Sequence, residues 1–139
     1  MRIINVGFFP PPYGGISIHI QRLSEFLLEK RLPHIVVDVS GIPKEHLFVR
    51  NLRGLGLALF LLLHQRSVVH FHFFTFKALL LMSILRIKHR VILSLHNEQF
   101  LEEMQSNGGI TEWAMKLLMS KLDCIVVNNE KCRHLALAF

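Results

Sequence analysis

Short apolar runs and longer stretches of helical spacing alternate along the whole chain. Residues 2–9 (RIINVGFF) read as a strand, and over 16–30 Ile16, Ile20, Leu23 and Leu27 recur at steps of four, three and four, one stripe of a helix. Arg22, Glu25 and Glu29 occupy its other side. HIVVDVS (34–40) predicts a second strand, closed by a loop at Gly41 and Pro43. The Leu-rich segment 52–65 predicts a helix whose start is weakened by Gly54 and Gly56. Strands follow at 67–74, 89–97 and 123–129, with helices at 77–87, at 110–121 and from 130 onward.

Strands that are apolar on both faces and alternate with helices predict a mostly parallel sheet covered on two sides. The fold class is therefore α/β, a doubly wound Rossmann-like domain that spans residues 1–139. In such sheets ligands bind beyond the carboxyl ends of the strands. Those ends read PPPYGGIS, HFHFF, LHNE and VNNE, and the last three are rich in His, Asn or Glu.

In the first of them, Pro10, Pro11 and Pro12 stiffen the loop, while Gly14 and Gly15 let backbone amides approach a bulky group at the start of a helix. Helix N-termini attract anions, phosphate above all. Ser17 is a candidate cap. The same glycines also fit a simple tight turn, and neither G-x-G-x-x-G nor G-K-[ST] is present. His70 and His72 alternate along a strand and share a face, which suits a metal, but no further ligand stands near them in sequence, so rim or core histidines are expected and no metal. His96 leaves an apolar strand with Asn97 and Glu98 behind it, placed to donate a hydrogen bond or carry a proton; a polar capping role fits the trio as well. Asn128 ends the last strand in the same way.

Composition narrows the partners. Sixteen Lys and Arg against ten Asp and Glu give a net charge of +6, concentrated in 50–54 and 85–90. That balance suits a phosphorylated ligand or an anionic membrane surface, and equally a solvated basic face. No motif for nucleic acid is present. No apolar run reaches the 18 or so residues of a membrane span, and the N-terminus reads as a strand, which predicts a cytoplasmic location. Cys124 and Cys132 are expected to be reduced.

PPPYGGISIHIQRLSEFL resembles the first loop and helix of family-four glycosyltransferases, retaining enzymes of the GT-B fold, and VVHFHFF, VILSLHNE and DCIVVNNEKCRHL fall where that family's later N-terminal strands fall. The resemblance implies an acceptor-binding N-terminal domain. In the complete enzyme Gly14 and Gly15 would approach the donor phosphates, His96 would line the catalytic centre, and Ser17, His70, His72, Asn97, Glu98 and Asn128 would lie on the substrate side. It implies a nucleotide-sugar donor, no metal or other cofactor, and a glycan or lipid-linked acceptor in cell-surface glycan synthesis, with basic helices against the inner membrane leaflet. The family's two-glutamate motif and its diphosphate-clamping Arg and Lys belong to the C-terminal domain and have no counterpart here. The chain alone is therefore expected to be inactive, a domain incomplete at its C-terminus that needs a donor-binding domain or partner subunit. The alternative is a non-enzymatic α/β module that binds a phosphate or nucleotide.

Overall fold

A computed structural model describes residues 1–11, 13–43, 48–73, 75–96, 102 and 109–137. Six strands form one sheet: β1 (Arg2–Gly7), β2 (His34–Asp38), β3 (Val49–Asn51), β4 (Ser67–Phe71), β5 (Arg90–Leu95) and β6 (Cys124–Val127). Their spatial order is β3-β2-β1-β4-β5-β6, and every adjacent pair is parallel. The helices are α1 (Gly15–Glu29), α2 (Gly54–Leu63), α3 (Phe76–Leu85), α4 (Gly109–Met119) and α5 (Glu130–Leu137). The fold is Rossmann-like, and strand order reverses between β1 and β4, the switch point at which such sheets open a crevice.

The two faces of the sheet differ in chemistry. Ile4, Val6, Val37, Val69, Phe71 and Leu93 project to one face, where Leu57 and Leu61 of α2, Leu79 and Met82 of α3 and Met115 of α4 bury them. On the other face Ile20 of α1 packs against Val36. Along the centre of the sheet that second face is polar: Asn5 pairs with His70 in register, and His70 leads across to Ser94 through a 2.8 Å side-chain hydrogen bond. The expectation of strands apolar on both faces is corrected here, because alternation with period two sends Asn5, His70 and Ser94 to the side opposite the main core.

Helix α1 is turned slightly from its predicted stripe. Its buried positions are Ser17, Ile20, Ser24 and Leu27, with Ile16 and Leu23 on the flank. The two serines and Gly7 let the helix lie close to β1: a Cβ built on Gly7 would stand 2.5 Å from Ile20 Cδ1 and 3.1 Å from His72 Cβ. Gly7 is needed for this approach, not for an unusual φ.

A chain of hydrogen bonds ties the first loop to the sheet's edge. The Phe9 amide donates to Asp38 Oδ1 at 3.0 Å, and Ser40 donates to the same carboxylate through its amide at 3.1 Å and its hydroxyl at 2.6 Å. The Ile42 amide donates to Ser40 Oγ at 3.2 Å, and Asn51 Nδ2 of β3 donates to the Ile42 carbonyl at 2.7 Å. At the opposite end of the strands, buried His89 accepts from the Ser67 amide through Nδ1 and donates to the Leu61 carbonyl through Nε2, at 3.2 and 2.9 Å. Neither cysteine forms a disulfide among the described residues; Cys132 is buried and Cys124 exposed.

Candidate functional site

At the carboxyl edge of the sheet, beside the switch point, an open cleft of about 670 Å3 is lined by Gly15, Ile16, Ile18, His19, Arg22, His96 and Asn128. Helix α1 forms one wall. Its N-cap is Gly14, in an extended conformation, and Ile18 makes the first helical bond to the Gly14 carbonyl. Ser17 is not the cap but sits three residues inside: its hydroxyl accepts from the Gly14 amide at 2.8 Å and donates to the Gly14 carbonyl at 3.0 Å. The cap position falls earlier because glycine adopts the extended entry at no cost and Ser17 then serves the turn from within. Ser17 is buried and the Gly14 amide is taken up by it, so of the two glycines it is Gly15 that lines the cleft.

The histidines converge. His70 and His72 do share a face, with ring centroids 4.0 Å apart. His19 of α1 lies 5.4 Å from the His72 ring and 5.2 Å from that of His96, and His72 and His96 are stacked at 5.8 Å. The sequence expectation that His70 and His72 lack further ligands nearby is thereby corrected: one ring nitrogen from each of His19, His72 and His96 lies within 4.8 Å of the others. They come from α1, the end of β4 and the end of β5, which the parallel crossovers bring to one edge.

His72 and His96 each have a side-chain partner that fixes the ring's orientation. His72 Nε2 faces Asn5 Oδ1 at 3.5 Å, and His96 Nδ1 faces the side-chain amide of Asn128 at 2.6 Å. Nδ1 of His72 and Nε2 of His96 are buried without a hydrogen-bond partner among the described residues. Burial, reinforced by the neighbouring imidazoles, pushes His70 down to about 4 and His72 down to about 2. Burial also lowers His96, with His19 adding to the effect. These three imidazoles are consequently neutral at neutral pH, able to offer lone pairs.

Asn97 and Glu98 lie outside the described residues, as does Pro12. Asn128 and His96 line the cleft at the strand ends, whereas His72 is buried just beyond β4 and His70 lies within β4, bonded to Ser94. His19, Arg22, Asn5 and Ser94 escaped sequence reasoning. The signal for Asn5 is a lone amide inside RIINVG, a buried polar group that needs a partner; for His19 it is a position directly beside the buried Ile20 in the first turns after the glycines.

No protein-family model matches the chain, and no curated protein matches it significantly.

Proposed function

We propose that the chain is the acceptor-side domain of a nucleotide-sugar-dependent, retaining glycosyltransferase that acts on lipid-linked or cell-surface saccharide, with the donor held by a second domain or subunit. The observation that carries this reading is the pair of cavities at one edge of the sheet. The polar cleft of His96, Arg22 and Asn128 suits hydroxyl and phosphate groups of a sugar. Across the strand ends an apolar cavity of about 600 Å3 runs between α2 and α3, lined by Phe8, Leu57, Phe73 and Leu81, with Arg53 and Lys77 on its wall. Such a lining suits an apolar tail that ends in phosphate.

In this reading neutral His96 accepts a hydrogen bond from a sugar hydroxyl, and the first-turn amides of α1 from Gly15 onward attract the donor phosphates. Contact with an anionic leaflet is supported by a second cleft at the amino edge, where Arg66, Arg86, Lys88, Arg90 and Lys121 gather beside Asp123, next to the exposed Ile87. No helix among the described residues is long and apolar enough to cross a membrane, so the proposed attachment is peripheral.

The test is calorimetric titration of the chain with a panel of nucleotide sugars and with isoprenyl-phosphate-linked saccharides. The expected result is binding of the lipid-linked saccharides and affinity for nucleotide sugars weaker than about 100 μM, above roughly −5.5 kcal/mol. Micromolar affinity for a nucleotide sugar without any lipid-linked binding would replace this reading by that of a phosphate- or nucleotide-binding module.

A further inference from the structure

We propose that His19, His72 and His96 form a binding site for a late transition-metal ion of the zinc type, with a remaining coordination position open to the cleft. This goes beyond the transferase reading and does not depend on it.

The donor set is three imidazole nitrogens. Imidazole nitrogens favour zinc, copper and nickel over magnesium or calcium, which require oxygen ligands. Three protein ligands with a fourth position left open is an arrangement typical of accessible zinc sites. In a tetrahedral zinc site with Zn–N bonds of 2.0–2.1 Å the ligand nitrogens stand about 3.3 Å apart. Here they lie within 4.8 Å of one another, so the largest gap must close by about 1.5 Å. Exposed His19, on the rim of the cleft, can shorten its own distances to His72 and His96 by rotating its side chain.

Two of the three rings are also held from behind by side-chain amides. A metal-ligating histidine ordinarily uses its other ring nitrogen to hold a carbonyl, carboxylate or similar partner, which fixes the tautomer. His72 does so with Asn5 Oδ1 through Nε2, and this leaves Nδ1 as a buried lone pair without a partner among the described residues. His96 holds Asn128 through Nδ1 and leaves Nε2 in the same condition. The structure places Asn128 Nδ2 against His96 Nδ1; with that amide turned end for end its oxygen accepts from His96 Nδ1–H and Nε2 is the free ligand, an orientation that the hydrogen-bond network sets. A buried nitrogen lone pair with no partner is destabilising, and a metal would satisfy two of them here.

The site opens toward Gly15 and Arg22. An ion seated there would have water or an anionic oxygen from the cleft as its outward ligand.

The test is titration of the full chain, freed of metal by a chelator, with Co2+ and then Zn2+. The expected result is one equivalent of Co2+ bound with the intense visible absorption of a tetrahedral nitrogen-rich site, and its displacement by Zn2+. His19→Gln, on an exposed ring whose loss leaves the fold intact, and His96→Gln should each weaken binding by at least about 100-fold, and Asn128→Ala by roughly tenfold as an outer partner. His34→Gln, at the opposite end of the strands, should bind as the parent does. Absence of Co2+ binding would overturn the inference, as would binding that survives both His19→Gln and His96→Gln or that is lost equally in His34→Gln.

Discussion

Replacing Gly7 by Ala tests how closely the first helix and the site depend on one backbone contact. The added methyl would stand 2.5 Å from Ile20 Cδ1, about 1.3 Å inside an ordinary carbon–carbon contact near 3.8 Å, and 3.1 Å from His72 Cβ. The end of an Ile side chain usually yields cheaply, but Ile20 is fully buried and packed with Val36 and Phe9. His72 Cβ is fixed by its backbone, whose amide donates to the Val6 carbonyl at 2.9 Å. Overpacking of this kind costs about 1–3 kcal/mol. With a urea slope of about 1–3 kcal/mol/M, a loss of 2 kcal/mol moves the unfolding midpoint down by about 1 M at unchanged slope. Gly15→Ala is the matched control: nothing lies within 4 Å of its Cβ, and its stability should stay within about 0.5 kcal/mol of the parent. Equilibrium urea unfolding followed by far-UV circular dichroism gives both numbers. If Gly7→Ala unfolds within about 0.2 M of the parent, the close approach of α1 to β1 is not what positions these residues.

Two further outcomes are expected. Asp38→Ala should destabilise by about 2–3 kcal/mol in the same assay, because it strands the buried Phe9 amide and removes the acceptor of two Ser40 hydrogen bonds; a loss under about 0.5 kcal/mol would refute the role given to Asp38. Burial lowers His89, opposed by its bond to Leu61 and aided by Lys88 and His64, so the folded state binds fewer protons than the unfolded chain at this position. Its share of stability is complete above about pH 6.5 and declines as pH falls through that value toward the folded one. His89→Gln should therefore lose less stability than the parent between pH 7 and pH 5, and parallel pH profiles would exclude this contribution.

Most of the architecture could be read from the sequence because hydrophobic periodicity is a local signal. Every expected boundary except the end of the strand at 67–74 falls within two residues of the observed one, as at α1, β2 and β5, since each apolar run ends at a Pro, Gly or polar cluster. Strand β3 went unseen: three residues at an edge carry too little pattern, and Val49–Asn51 is held largely by its pairing with β2. The histidine cluster is the larger omission, and the reason is topological. His19, His72 and His96 are separated by more than fifty and by more than twenty positions, and only the order of parallel strands around the switch point brings them together. Ser17 illustrates a third limit, because the choice between cap and third position depends on backbone entry at Gly14, which side-chain identity alone leaves open.

The run of hydrogen bonds from Phe9 through Asp38, Ser40 and Ile42 to Asn51 has a kinetic meaning. It makes the loop after β1 and the outer edge of the sheet a single rigid lever, so that thermal opening of one must break bonds that hold the other. Amide exchange at Phe9 should consequently follow the opening of β3, and substitutions at Asn51, remote from the histidines, would be felt in the loop after β1.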